Sequence, residues 1–155
     1  MPLLEDIYQR ERMQLASTLL FSYSAHWLAS ELGAGLSIPK NTAIQSDSHF
    51  IARYLTITTY AAGLVVSTAT APLLINFFDT GSGRQILDSP QPIQNLCGGV
   101  AAAAGQGSLP FVLPEPWLIR SGGTITTTLT NLGAAAVVQA EISFVGFKVF
   151  DFTGS

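Results

Sequence analysis

Asp79 lies in the stretch of this sequence whose residue types are best suited to chemistry. An apolar run, residues 73–78, leads into Asp-Thr-Gly-Ser-Gly at positions 79–83. An aspartate at the end of an apolar strand can act as one half of a carboxylate pair that shares a proton, as in aspartic proteases. A chain of 155 residues would take the second aspartate from another copy of itself. A homodimeric aspartic protease using Asp79 is therefore one hypothesis for this chain.

The same residues also suit a structural turn between two strands. Gly81 and Gly83 can supply the positive φ angles of a tight connection, and the Asp79 carboxylate can accept hydrogen bonds from amides two residues further on. Arg84 would favour ionisation of both members of a carboxylate pair, which opposes proton sharing. The sequence thus favours structural roles for Asp79, Gly81 and Gly83 over catalysis.

The remaining reactive residue types form no pattern typical of a catalytic or metal site. His26 and His49 are far apart in the sequence and lack the close spacing of a metal-binding pair. Cys97 is the single cysteine, so neither an internal disulfide nor a thiolate cluster is expected. The sequence contains no nucleophile elbow and no phosphate-binding loop. We therefore predict no catalytic residue, no metal and no cofactor.

Aromatic residues could form a platform for a sugar or a base, but they more often fill a core or an interface. The candidates for an interface are Tyr8, Trp27, Trp117 and Phe150. A carbohydrate-binding or receptor-binding module, with Trp27 or Trp117 exposed, remains an alternative.

The composition indicates a folded protein with an unusually uncharged surface. Hydrophobic residues make up 48% of the chain and charged residues only 11%, against a usual charged share of about 25%. The net charge of −3 gives no reason to expect nucleic acid as a partner. The long uncharged runs are rich in threonine and interrupted by proline, which favours strands over membrane-spanning helices. Because interface cores are depleted in charge, we expect a homo-oligomer.

The first 45 residues differ in character from the rest. Five of the 17 charged residues lie within the first 12 positions. A helical stripe is approximated by Leu4, Ile7, Tyr8, Leu15 and Leu19, and could extend to His26 and Ala29. The stretch "STLLFSYS" is rich enough in serine, threonine and aromatic residues to be extended instead. We interpret residues 1–45 as an N-terminal arm or helix with a linker, and residues 46–155 as the folded domain.

From residue 46 onward the pattern is that of a β protein. Threonines alternate with Ile125 and Leu129 in residues 124–131, and Val138, Ala140, Ile142 and Phe144 share one face of a last strand. The prolines at positions 110, 114 and 116 indicate an edge or crossing segment. No helical pattern separates these runs, so we predict an all-β, antiparallel β-sandwich with a jelly-roll-like arrangement.

Gly146 interrupts the last of these strands. If it is a β-bulge, the phase of the strand reverses, and we then expect Phe147 and Val149 to face inward and Lys148 outward.

The order of features from residue 46 resembles small β-sandwich structural proteins of tailed bacteriophage particles. The matching features are "SDSHF", "FFDTGSGRQIL", "LPFVLPEPWLI", "GGTITTTLTNL" and "EISFVGFKVF". The resemblance implies a decoration or cement protein that clamps neighbouring capsomers, or a neck, collar or tail-adaptor protein. It also implies a location in the virion, a dimer or trimer, and binding to other virion proteins such as the major capsid protein. It carries over no catalytic residue.

Overall fold

The structure is a computed structural model. It describes residues 18–61, 65–66, 72–96, 110–134 and 139–150. The strands are β1 (Thr18–Trp27), β2 (Ser37–Ala43), β3 (Ser48–Ala61), β4 (Val65–Val66), β5 (Leu73–Asp79), β6 (Arg84–Gln85), β7 (Gln91–Pro92), β8 (Phe111–Ile119), β9 (Thr124–Asn131) and β10 (Gln139–Phe150). A single helical turn, α1 (Ile93–Leu96), follows β7.

The strands form two antiparallel sheets. In the first sheet β10 lies between β1 and β3, and β4 and β8 pair with different parts of the other side of β3. In the second sheet β9 lies between β2 and β5, and β6 and β7 pair with β5. Pairing of the first strand with the last, the second with β9 and the third with β8 is the strand order of a jelly roll. The prediction of an all-β antiparallel sandwich is confirmed.

The core lies between the two sheets and is built from alternate residues of each strand. Ile125, Thr127 and Leu129 of β9 are buried, while the threonines at positions 124, 126, 128 and 130 are half-buried. Ile75 of β5 lies beside Leu129 in the same sheet, and Ile142 and Phe144 of β10 belong to the same core from the other sheet. The predicted faces of the threonine-rich strand and of residues 140–144 are confirmed, and Val138 lies outside the described residues.

The interpretation of residues 1–45 as an arm or helix is corrected for residues 18–45. Residues 18–27 form β1, which pairs with β10 along its whole length, and residues 37–43 form β2, which pairs with β9. Alternate residues of β1, among them Tyr23, Ala25 and Trp27, are buried in the core. Burial every second residue fits a strand and not a helix. Residues 1–17 lie outside the described residues.

The irregularity expected at Gly146 is present, but the extra residue is in β3. Val145 lies opposite Tyr54 and Gly146 opposite Ala52, so Arg53 has no counterpart in β10. The phase reversal therefore occurs in β3 and not in β10. The prediction for Lys148 was wrong: it is buried, with 4% of its surface exposed, and Phe147 points outward.

The proline-rich strand β8 lies at an edge, as predicted. Its Val112 is opposite Tyr54 and its Trp117 opposite Ala52, so residues 113–116 have no partner in the β3 ladder. Pro114 and Pro116 fall within this unpaired segment, where their missing amide protons remove no ladder hydrogen bond.

Candidate protein–protein interface

Asp79 holds the turn that follows β5. Its Oδ1 accepts hydrogen bonds from the backbone amides of Gly81 (2.9 Å) and Ser82 (3.3 Å), and its Oδ2 accepts one from the Ser82 hydroxyl (2.6 Å). The side chain is buried. Both carboxylate oxygens thus have structural partners, which is the arrangement expected of a turn and not of a proton-sharing pair.

The turn is packed against the neighbouring β8–β9 connection. The amide and the hydroxyl of Thr80 both donate to the carbonyl oxygen of Thr124 at 2.9 Å. A Cβ on Gly81 would lie 3.3 Å from the Cα of Gly123. Gly83 has a positive φ of 68°, as expected, whereas Gly81 does not adopt one. The requirement for glycine at position 81 is therefore one of space and not of backbone angle.

The histidines are bound into local contacts. The His49 Nδ1 accepts a hydrogen bond from the Ser121 amide at 2.9 Å, and the exposed His26 lies 3.8 Å from Glu141. In the part of the chain that the structure describes, no three His, Cys, Asp or Glu side chains are grouped as a metal site would require.

The residues predicted to lie in an interface differ in how deeply the structure buries them. Trp27 is 1% exposed, and its indole Nε1 donates to the Ile38 carbonyl oxygen at 3.0 Å, so it joins β1 to β2 inside the core. The assignment of Trp27 to an interface was wrong, because its ring fills space between the sheets. Phe150 is half-buried at the end of β10. Tyr8 lies outside the described residues.

Trp117 is half-buried at the open side of the sandwich. Its ring lies edge-on to Phe144, with centroids 5.8 Å apart. It lines a recess of about 220 Å³ whose other walls, including Leu55, Phe77 and Phe111, are all apolar. Sugar and drug-sized ligands require placed polar groups in addition to an apolar wall. This recess offers none. Trp117 also lines a more open recess of about 780 Å³, which has the polar side chains of Arg84, Glu115 and Arg120.

The outer face of the first sheet carries a line of apolar side chains across four strands. The strand register places Leu20 of β1 opposite Phe147 of β10, Phe147 opposite Ile51 of β3, and Ile51 opposite Leu118 of β8. We call these four residues the apolar row. Leu20 is 67% exposed, Leu118 56% and Phe147 37%.

A second line of apolar residues lies beside the apolar row. Val145 of β10 is opposite Tyr54 of β3, which is opposite Val112 of β8. Tyr54 and Val112 are exposed. The two lines together make a largely apolar surface, with the exposed Arg53 of β3 and Glu115 of β8 as its charged residues, and exposed apolar patches of this kind mark interaction sites.

The other end of the same face is polar. Ser24, Ser143 and Thr56 lie opposite one another, and the hydroxyls of Ser24 and Ser143 are 2.7 Å apart. The next line includes His26 and Glu141. The change from polar to apolar along one face shows that the apolar end is a defined patch.

Sequence reasoning missed this patch. The inward assignment of Phe147, and the assignment of Leu20 to an N-terminal arm or helix outside the folded domain, removed two of its four residues. The available signal was the run from Thr18 to Trp27, in which serines alternate with buried aromatic and small residues once it is read with a period of two.

Comparisons with known proteins identify no family. No protein-family model matches the chain, and no curated protein matches it. Among solved structures, an exo-β-1,3-galactanase from Phanerochaete chrysosporium shares 16% identity at a TM-score of 0.32, over 82% of this chain and 29% of that one. The VP2 subviral particle of infectious bursal disease virus shares 16% identity at a TM-score of 0.33, over 85% of this chain and 31% of that one. The chain thus spans about a third of the length of these structures.

No helix in the described ranges is long and apolar enough to cross a membrane.

Proposed function

We propose that this chain is a non-enzymatic structural protein of a virus particle, which forms oligomers and binds a repeating protein lattice. In its most specific form, the proposal is a decoration or cement protein, or a minor head protein, of a tailed bacteriophage. A neck, collar or tail-adaptor position is the alternative within the same class.

The observation that carries the proposal is the apolar surface formed by the apolar row and its neighbouring line. It lies on the open face of a sheet and not in a cleft, so its shape suits another protein surface better than a small molecule. Burying Leu20, Leu118 and Phe147 would contribute about 1.5–3 kcal/mol for each fully buried side chain. We therefore infer that the partner is an array of identical protein subunits, each with a flat, apolar patch on its surface.

The low charge of the chain supports the same proposal. Only 11% of its residues are charged, and charge is depleted at the centre of interfaces. Contacts of modest strength, repeated on an oligomer, hold a lattice through avidity. Asp79, the strongest catalytic candidate in the sequence, has both carboxylate oxygens engaged in its turn, so the geometry offers the protease alternative no support.

The proposal is tested by binding of the purified chain to particles of the source virus from which it has been removed or deleted. The double variant Leu118→Ser/Phe147→Ser should bind at least about tenfold more weakly, since the loss of one buried apolar side chain corresponds to about tenfold or more. The matched control is Thr56→Ala/Thr58→Ala at the polar end of the same face, which should bind like the wild type. Equal binding by both double variants, or absence of the chain from purified particles, would overturn the proposal.

A further inference from the structure

β1 is a long strand at the edge of the first sheet. It pairs with β10 through all ten of its residues, from Thr18 opposite Val149 to Trp27 opposite Ala140. On its other side, no strand among the described residues pairs with it. The backbone groups along that side are a template for a further strand.

The other edges carry the features that block strand addition. β2 contains Pro39 and Lys40, and β8 contains Pro114, Glu115 and Pro116. The remaining edge strands, β4, β6 and β7, have two residues each. Proline, charge and short length are the usual means of protecting an edge. β1 has the sequence TLLFSYSAHW, with no proline, no glycine and no Asp, Glu, Lys or Arg.

We propose that β1 pairs antiparallel with β1 of a second copy of this chain about a two-fold axis. This inference deepens the proposed function, on which it rests, by naming the contact through which the chain would oligomerise. The first sheets of the two copies then form one continuous sheet, and both copies present the same surface, as a two-fold interface requires.

The chemistry of β1 favours its own copy as the occupant. Ser22 and Ser24 lie on its outer side and are exposed, so an antiparallel pair centred between them places the serines of the two copies close together. Like charges directly opposite each other destabilise a strand pair, and β1 contains no Asp, Glu, Lys or Arg that could come opposite its own copy.

The pairing also has a consequence for lattice binding. A two-fold axis perpendicular to the sheet keeps the outer faces of both copies on the same side. The two apolar rows then lie on one surface, with Leu20 of each copy nearest the junction. Such a dimer binds a repeating lattice at two points, and the second contact gains from effective concentration.

The test begins with the wild-type full chain. Light scattering gives its mass across a concentration series, and hydrogen–deuterium exchange is measured above and below the dimer midpoint. We expect a dimer in which exchange slows with concentration in peptides from Thr18–Trp27, while the edge strand Ser37–Ala43 is unchanged. A monomer at every concentration, or protection confined to other strands, would overturn the inference.

Charged variants provide the second arm. Ser22→Lys and Ser24→Lys place like charges across the paired strands and should weaken the dimer at least tenfold. The control is Thr56→Lys, on the same face but two strands away, about 10 Å from β1, which should dimerise normally. Thermal unfolding verifies that each variant is folded. If a variant does not fold, the hydrogen–deuterium exchange of the wild-type chain alone decides between a β1 dimer and its absence. Dimerisation of both serine-to-lysine variants at wild-type strength contradicts the inference.

The two proposals fail separately. A monomer that binds particles through Leu118 and Phe147 overturns the β1 dimer and the oligomer, and leaves the lattice-binding role in the proposed function intact. A β1 dimer that does not bind particles overturns the proposed function and leaves the β1 pairing intact.

Discussion

The ammonium nitrogen of Lys148 lies 4.2 Å from the centroid of the Phe21 ring, on the inner side of the first sheet. The same nitrogen donates a hydrogen bond to the side-chain oxygen of Gln45 and lies 3.9 Å from the Asp47 carboxylate. A buried charge is tolerated only when it has such partners. For Lys148 these partners are the Phe21 ring, the Gln45 side-chain amide and the Asp47 carboxylate.

The first prediction concerns Lys148. Lys148→Met keeps the unbranched stem, and because Gln45 and Asp47 are exposed, water can solvate them in its absence. We expect its free energy of unfolding to change by no more than about 1 kcal/mol. Lys148→Glu places an anion against the Phe21 ring and near Asp47, and should cost about 3 kcal/mol or more. Urea unfolding measures both, and a Lys148→Glu variant as stable as Lys148→Met would contradict the account.

Gly146 provides the second prediction. A Cβ at this position would lie 1.9 Å from the carbonyl oxygen of Ile51 in the adjacent strand, a distance that only movement of the backbone can relieve. Gly146→Ala should therefore destabilise the fold by about 3 kcal/mol or more, or prevent folding. Gly35 has a φ of 71° and open space around it, so Gly35→Ala should cost only about 1 kcal/mol. Equal unfolding midpoints for the two variants would exclude the steric explanation.

The third prediction separates hydrogen bonding from charge at Asp79. Asparagine retains an oxygen that can accept from the amides of Gly81 and Ser82, so Asp79→Asn should cost about 1 kcal/mol at most. Alanine leaves those amides without their acceptor, and Asp79→Ala should cost about 2 kcal/mol. Chemical denaturation distinguishes the two. A loss in Asp79→Asn as large as in Asp79→Ala would show that the negative charge is what the turn requires.

The sandwich itself was predictable because its inner and outer faces differ in polarity over most strands. In residues 124–131 the threonines at positions 124, 126, 128 and 130 lie on the outer face, while Ile125 and Leu129 are buried on the inner one. In such strands a period of two is visible directly in the sequence.

The alternation of polar and apolar residues did not show which residues of β3 face the core, nor that Phe147 points outward. Near Arg53 the outer face is apolar as well, with Ile51 and Tyr54 outside and Phe50 and Ala52 inside. Apolar residues on both faces erase the alternation, so the sequence cannot show where one residue is added. The surface that carries the proposed function is thus also the reason that the bulge was assigned to the wrong strand.

The fourth prediction concerns pH. The pKa of Glu31 lies below its ordinary value, because its carboxylate accepts a hydrogen bond from the Lys40 ammonium and a second from the Leu28 amide. A lowered folded-state pKa means that this contribution to stability is present above the unfolded pKa and is lost as pH falls through the folded one.

Lys40→Met should therefore raise the titration midpoint of the Glu31 carboxyl, as followed by carbon-13 NMR. The stability difference between wild type and Lys40→Met should also shrink as the solution is acidified through that midpoint. Identical Glu31 midpoints in the two proteins would show that Lys40 does not hold the carboxylate in its ionised form.

The last prediction is a gain of stability in the core of the second sheet. Thr127 is fully buried between the sheets, and no hydrogen-bond partner for its Oγ1 occurs among the described residues. Burying a hydroxyl without a partner costs about 1–3 kcal/mol, and valine has nearly the same shape without the polar atom. Thr127→Val should thus raise the free energy of unfolding by about 1 kcal/mol. The control is the adjacent Thr126, whose hydroxyl donates to the Asn41 side chain at 2.8 Å. Thr126→Val should give no gain, so stabilisation by both variants would point to strand propensity and not to the unpaired hydroxyl.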